Sequence, residues 1–441
     1  MLDRLHKCST LGPQKGGRLR GLSGWAVNGW CRTLADGGPD SESTAFSATK
    51  QGPTPCHGPA NRQMKLVFVS NGPLPYHTPI LNELAKLADL QVIYMSRNHP
   101  LGGPASGGYQ NLWGVEPHFQ YSFHWSRAIR SAGGDWRAQY SLGVSLKLQR
   151  LSPDVVFFSS WGPLTVEPLI WKTVNRRKAV MWTESTVVSG QLRGRVSNSL
   201  RRATLARVNA FVASGSLATE YLLRLGVRGS MIVTSCLPSE PHGVDQGPRD
   251  GSDARREQAT RFLFVGRLIE RKRPIQMVEA FCDLLEKNPN ARLTLIGDGP
   301  LLPAVKAAAA RCEYAVDFGG RREGRDLAAV YSANDVLVVP SIREVWGLVV
   351  NEALAHGLYV VATDQVGSAH DLIDDDSGMI VPADDRPALV NAMEAATRFP
   401  RTHSAREGRR KRVEHCTPAN FARDLYSAAR IAVAGSATQC P

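Results

Sequence analysis

Long apolar segments are missing from this chain of 441 residues. No apolar run reaches the roughly 18 residues that a membrane-spanning helix needs. The N-terminus also lacks the apolar core of a secretory signal. We therefore expect the protein to stay in the cytoplasm.

Cysteine motifs are missing as well. The eight cysteines include no CxxC pair, which argues against a zinc knuckle or a redox dithiol. Cys282 and Cys312 fall in apolar stretches, and we interpret them as small core residues of a protein in a reducing compartment. The cysteines are Cys8, Cys31, Cys56, Cys236, Cys282, Cys312, Cys416 and Cys440.

Nucleic-acid signatures are absent although the net charge is +13. We find no zinc-finger spacing, no aromatic RNA-binding motif and no isolated helix-turn-helix, and expect no nucleic-acid partner. Two interpretations of the charge stay open. It either provides a basic face for an anionic membrane or only aids solubility.

The first 63 residues differ from the rest of the chain. Residues 1–63 are rich in Gly, Pro, Ser and Thr and keep no helical or strand periodicity. We interpret them as a disordered extension. Because a domain pattern begins sharply at Met64, we hypothesise that translation starts there and that the extension is not native.

Two blocks of alternating strands and helices follow. Residues 64–240 and 261–415 each contain short apolar runs, such as LVFVS (66–70) and VLVVP (336–340), separated by helical stretches. This alternation predicts an α/β fold of two Rossmann-like, doubly wound domains facing across a cleft. Residues 241–260 are interpreted as a linker.

Two C-terminal segments complete this organisation. The amphipathic stretch 419–433 is predicted to be a helix that packs back across the cleft onto the first domain. The basic run 406–412 is interpreted as a solvated face, with an anionic-surface contact as the alternative.

Two glutamates stand in the string SIREVWGLVVNEALAHG. Pro340 ends a strand, so Glu344 is expected in the following loop, and Glu352 in the helix that begins after Gly347. Ligands of doubly wound sheets bind at this edge. The amides of Gly347, Leu348 and Val349 are predicted to be free at the helix N-terminus, where they favour a phosphate.

Two cations follow a second strand, in FLFVGRLIERKRP. Arg267 comes directly after Gly266, and Lys272 lies five residues later. Such a pair can neutralise a diphosphate in place of a metal ion. Arg271 and Arg273 keep a simple basic loop open as the alternative.

These strings, with LTLIGDGP (293–300) and LAAVYSANDVLVVPS (327–341), resemble the donor domain of the GT4 family of GT-B glycosyltransferases. The resemblance covers nearly all of residues 258–400 and, more loosely, the first block. It implies a two-domain GT-B fold. It also implies metal-independent transfer of a hexosyl residue from a nucleotide diphosphate sugar, with retention of anomeric configuration.

The resemblance also implies residue roles. Glu344 would hold hydroxyls of the donor sugar and Glu352 those of the ribose, while Arg267 and Lys272 would stabilise the leaving diphosphate. The acceptor would be a saccharide or a lipid-linked sugar in cell-surface polysaccharide or glycolipid synthesis. The basic segment 193–207 would then hold the protein peripherally at an anionic membrane.

Several positions depart from the family pattern. Trp346 stands where Phe is usual, and Ser368 and Asp371 replace a usual glycine and glutamate. Glu184 stands where many members have a histidine, and we consider it an acceptor-side base, a hydrogen-bonding group or a structural carboxylate.

The loop SNGPLPYHT adds two further predictions. Gly72, together with Asn71, is expected to let this loop approach the phosphates. His77 is interpreted as an acceptor contact or a capping residue.

Two other functions fit parts of the pattern. A catalytically silent nucleotide-sugar-binding protein would keep the cations without turnover. A nicotinamide-dependent oxidoreductase lacks support, because the GDGP turn is not the glycine fingerprint of dinucleotide binding. No motif distinguishes a uridine from a guanosine donor.

Overall fold

The computed structural model describes residues 63–74, 76–94, 118–129, 140–159, 163–187, 189, 194–239 and 259–435. The predictions for residues 1–62, and for most of the 241–260 linker, lie outside this range.

The first sheet has seven parallel strands in the order β3-β2-β1-β6-β7-β8-β9. Its central strands are almost entirely buried, as expected for apolar runs with helices on both faces. An antiparallel pair, β4 (Arg127–Ile129) and β5 (Tyr140–Leu142), stands apart from it. The sheet strands are β1 Lys65–Ser70, β2 Asp89–Tyr94, β3 Ser122–Trp125, β6 Val155–Ser159, β7 Lys178–Thr183, β8 Ala210–Ser214 and β9 Ile232–Ser235.

Five helices from the same part of the chain accompany this sheet, and the last helix of the chain joins them. That helix, α13 (Pro418–Ala434), packs against α1 and against strands β7, β8 and β9. The centroids of the Phe421 and Trp182 rings are 4.7 Å apart. The others are α1 His77–Leu87, α2 Val144–Leu151, α3 Pro163–Val174, α4 Gly194–Leu205 and α5 Ser216–Arg224.

The second sheet has six parallel strands in the order β12-β11-β10-β13-β14-β15. Its strands are β10 Arg261–Val265, β11 Arg292–Ile296, β12 Val316–Gly320, β13 Val336–Val339, β14 Tyr359–Thr363 and β15 Gly378–Val381. Its helices are α6 Pro274–Lys287, α7 Leu302–Ala309, α8 Gly324–Ala333, α9 Leu348–Ala355, α10 Gly367–Leu372, α11 Arg386–Ala396 and α12 His403–Lys411.

The apolar runs predicted from the sequence all form strands, which confirms the α/β prediction. The strands that were missed lie at or beyond the edges of the first sheet. In β3 and β9 exposed or half-buried positions outnumber buried ones, so neither carries the continuous apolar signal of an inner strand.

Two cysteine pairs are bonded, Cys236 with Cys416 and Cys282 with Cys312. Cys282 and Cys312 are buried core residues as predicted, but the interpretation as core residues alone was incomplete. The partners stand 180 and 30 residues apart, and sequence spacing alone does not indicate such pairing.

The basic run 406–412 is not the solvated face that the sequence suggested. Arg409 is 1% exposed and donates to the backbone carbonyls of Asp376, Gly357 and Pro400. Arg406 pairs with the buried Asp335. Carbonyl oxygens and aromatic rings replace water around the Arg409 guanidinium, which lies 4.6 Å from the Phe399 ring centroid.

No helix in the described ranges is both long enough and apolar enough to span a membrane.

Candidate functional site

The cations of the predicted site lie on the connection after β10. Gly266 has φ +158°, close to extended backbone, and a Cβ there would lie 3.8 Å from the Lys272 side chain. Arg267 is exposed, and among the described residues none pairs with its guanidinium. Lys272 ends a short 3-10 turn, Glu270–Lys272, that turns its side chain back toward the sheet edge.

Lys272 and Glu344 meet in an ion pair across two neighbouring strand ends. Lys272 Nζ bonds Glu344 Oε2, and each side chain is only 12% exposed. Arg271 Nη1 lies 3.3 Å from the same oxygen. The structure therefore places Lys272 and Glu344, which were predicted independently, in contact with each other. It also shows that Arg271 contacts Glu344, a role that the sequence did not assign to it.

A free helix end lies beside this ion pair. Gly347 precedes α9 with φ +99°, and no side chain caps the helix. The first amides of a helix have no partner within it, so those of Leu348 and Val349 are available to an anion. A Cβ at Gly347 would lie 3.1 Å from Glu344 Cγ, so the backbone conformation and the space both favour glycine.

Glu352 lies one turn further along α9. Its Oε2 accepts a 2.6 Å hydrogen bond from Tyr331 Oη. Burial raises the pKa of Glu352 to about 7, although the bond from Tyr331 opposes this shift. His356 stacks on Tyr331 with ring centroids 5.3 Å apart.

Glu184 faces this group from the first domain. It follows the carboxyl end of β7, and Tyr76 Oη lies 3.4 Å from its Oε1. Burial raises the pKa of Glu184 to about 7, and the charge of Glu344 raises it further, against the Tyr76 hydrogen bond. Glu184 and Glu344 therefore lie near enough for their charges to interact across the cleft.

His77 does not lie where the sequence suggested. It is 3% exposed, with its ring 4.3 Å from Trp182 and 4.6 Å from Tyr76, and burial lowers its pKa to about 3. It is the first residue of α1 and forms no capping bond. The capping role is therefore wrong, and the ring of His77 packs in the core behind Tyr76. Gly72 is buried in the loop after β1 and accepts from Ser70 Oγ.

The two domains touch beside the cleft through residues that depart from the family pattern. Both Asp371 carboxylate oxygens accept from the Ser216 amide at the start of α5, at 3.1 and 3.0 Å. Trp346 is 1% exposed, and a Cβ at Gly215 would clash with its ring. A cavity of about 420 Å³ opens between this contact and Cys236.

Three arginines of the basic segment 193–207 differ in their surroundings. Arg201 donates to Tyr221 Oη at 2.9 Å and is half-buried, so it stabilises the domain instead of extending into solvent. Arg202 and Arg207 are exposed.

Comparison with known families locates a match in the second half of the chain. Residues 250–411 match the family described as "Glycosyl transferases group 1". The D-inositol 3-phosphate glycosyltransferase of Corynebacterium efficiens is 38% identical over 134 residues, 29% of this chain and 31% of that protein. Its counterpart in Corynebacterium aurimucosum is 32% identical over 162 residues, 33% of this chain and 38% of that protein.

A Campylobacter jejuni relative matches over a longer stretch. This alpha-1,4-N-acetyl-D-galactosaminyltransferase, named for a diNAcBac-PP-undecaprenol-linked acceptor, is 29% identical over 206 residues. The match covers 46% of this chain and 54% of that protein. The chain thus aligns with only about one third to one half of the length of these curated relatives.

Solved structures share the whole architecture. The lipopolysaccharide outer core galactosyltransferase WaaB has a TM-score of 0.63 at 16% identity, covering 83% of this chain and 99% of that one. Anabaena Alr3699/HepE in complex with UDP has a TM-score of 0.57 at 16% identity, with coverage of 85% and 99%. These likenesses confirm the predicted fold of two Rossmann-like domains facing across a cleft.

Proposed function

We propose that this protein transfers a hexosyl residue from a nucleotide diphosphate sugar, because residues 250–411 match the group 1 glycosyl transferases. The transfer retains anomeric configuration and needs no metal ion. The acceptor is a saccharide or a lipid-linked sugar of a cell-surface polysaccharide or glycolipid.

The observation that carries the proposal is the ion pair of Lys272 and Glu344 beside the uncapped start of α9. A diphosphate placed there receives amide hydrogen bonds and the helix dipole on one side. It meets the Lys272 and Arg267 side chains on the other. Glu344 is then left to accept hydrogen bonds from the sugar.

This arrangement favours the transition state over the bound donor. Negative charge grows on the diphosphate as the glycosidic bond breaks, and Lys272 shifts part of its interaction from Glu344 to that charge. Either a diphosphate oxygen or Glu184 takes the acceptor's proton. The two cations stabilise the charge of the diphosphate, as Mg²⁺ does in metal-dependent sites.

The acceptor side is assigned to the first domain. Glu184 and Tyr76 face the donor sugar from the opposite sheet, and Glu184 either binds an acceptor hydroxyl or draws off its proton. The exposed Arg202 and Arg207 on and after α4 give this domain a basic surface for peripheral contact with an anionic membrane. The test is liposome co-sedimentation after both arginines are replaced by neutral residues. Unchanged co-sedimentation would contradict the membrane contact.

A thermal-shift screen with UDP- and GDP-sugars tests the donor assignment. A bound donor raises the unfolding temperature by mass action, without added metal and in the presence of a chelator. NMR of the anomeric proton in the first-formed product then tests retention. No shift with any nucleotide sugar, or shifts that require Mg²⁺, would contradict the proposal.

A further inference from the structure

The chain passes between the two domains twice, and a cysteine stands at each passage. The first passage begins after β9, at Cys236, and leads toward β10. The second joins α12, which packs on α9, to α13, which packs on the first sheet, and it contains Cys416. The bond between the two cysteines therefore ties both passages together.

Reagents can reach this bond. Cys236 is half-buried and lines the 420 Å³ cavity, together with the exposed His415. The Nε2 atom of His415 lies 3.5 Å from Cys416 Sγ. An imidazole at this distance can accept the proton that a reduced cysteine loses when its sulfur attacks a disulfide.

The first passage is also coupled to the donor site. Asn351 Nδ2 donates to Leu237 O at 3.0 Å, directly after Cys236. Asn351 Oδ1 accepts from Trp346 Nε1 at 2.9 Å. Asn351 stands on α9, whose first amides form the proposed phosphate site, and Trp346 precedes that helix.

We propose that Cys236 and Cys416 form a reversible thiol–disulfide site that fixes the segment directly after β9 to the segment between α12 and α13. A hinge absorbs its motion in a few backbone torsions. A covalent bond between the two passages removes their freedom to move separately. The pair thus links the redox state of the surroundings to domain opening, which goes beyond the proposed transfer reaction.

The chemistry balances with a low-molecular-weight disulfide as oxidant. One protein thiolate attacks that disulfide, forms a mixed disulfide and releases one small thiolate. The second protein thiolate displaces the other. Two electrons pass from the cysteine sulfurs to the reagent, and the two thiol protons leave on its two thiols. In the reducing compartment predicted for this protein, disulfides are usually transient or redox-sensing.

Hydrogen exchange of the Ser216–Arg224 helix provides a readout that does not depend on catalysis. This helix begins at the amide bonded to Asp371 of the other domain, so opening of the domains exposes it. We compare protein treated with glutathione disulfide and with dithiothreitol, and confirm the state of each cysteine by alkylation and peptide mapping. We expect about fivefold slower exchange in the oxidised protein, the lower end of ordinary coupling between sites.

Two double variants distinguish the effect of the Cys236–Cys416 bond from a general effect of disulfides. Cys236→Ser with Cys416→Ser should abolish the redox-dependent difference. Cys282→Ser with Cys312→Ser, within one domain, should leave it intact. Equal exchange in both redox states of the wild type would overturn the proposal. The proposal would also fail if native mass spectrometry showed one zinc ion per reduced chain and Cys236→Ser removed it. Cys236, His415 and Cys416 would then form a metal site. Failure to detect sugar transfer would leave this test unaffected.

Discussion

The two sides of the cleft are built from different interactions. On the donor side, Lys272, Arg271 and Glu344 form a network of charges next to a free helix end. On the opposite side, the Glu184 carboxylate lies against Tyr76, with the buried ring of His77 behind it. Ion pairs at strand ends suit a diphosphate of fixed geometry. In the proposed reaction the aromatic wall and its acid would contact the hydroxyls of the acceptor.

The largest effect is expected from Lys272→Ala, which breaks the donor side. Loss of a group that stabilises developing charge typically lowers kcat by about 10²–10³-fold. Steady-state transfer rates with a nucleotide sugar measure this. The matched control is Lys287→Ala, because Lys287 forms an exposed ion pair with Glu394 and should keep its rate. A Lys272 variant as fast as the control would remove this residue from the reaction.

A smaller effect is expected from Glu184→Gln, on the other side. The amide still accepts from Tyr76, so a role in binding alone predicts a loss of about tenfold in kcat/KM for the acceptor. A role as base predicts a loss of about 10²-fold or more in kcat. Glu220→Gln, an exposed glutamate of the same domain, serves as the control. Unchanged acceptor kinetics would place Glu184 outside the site.

Glu184 should also influence stability as a function of pH. Its folded-state pKa of about 7 exceeds the ordinary value of 4.5, so the folded protein binds the proton more tightly than the unfolded chain. The resulting stabilisation is complete below pH 4.5 and is lost as pH rises toward 7. Glu184→Gln should therefore flatten the decline in unfolding temperature over this range. A decline as steep as in the wild type would contradict the assigned pKa.

The smallest effect on activity is expected from His77→Phe. Burial lowers the pKa of His77 to about 3, so the folded state favours the neutral ring and loses stability as pH falls from 6.5 toward 3. Phe keeps the aromatic packing and should remove this acid sensitivity, as urea unfolding at several pH values can measure. The control His403→Phe, at an exposed position, should leave the acid sensitivity unchanged. A large loss of transfer at neutral pH would restore His77 to the site.

The sequence predicted the second domain better than the first. Inner strands such as β10 and β13 are continuous apolar runs, and motif spacing was enough to place Glu344 and Lys272 each after a strand. That the two strands are neighbours is known only from the structure. The sequence could not distinguish Arg271 from the neighbouring cations as a partner of Glu344, because the direction of each side chain in a 3-10 turn depends on the fold. The burial of His77 and the bond between Cys236 and Cys416 depend on packing between distant segments, which local periodicity does not contain.

The place of α13 has a consequence for synthesis. The last helix of the chain supplies Phe421 and Leu425 to the buried core of the first domain. The ribosome must make about 180 further residues after Cys236 before synthesis of that helix begins. At ordinary elongation rates this takes roughly 10–40 s. During that interval the nascent first domain exposes the apolar surface around Trp182, so chaperone binding should cease only after release of the finished chain allows Pro418–Ala434 to pack there.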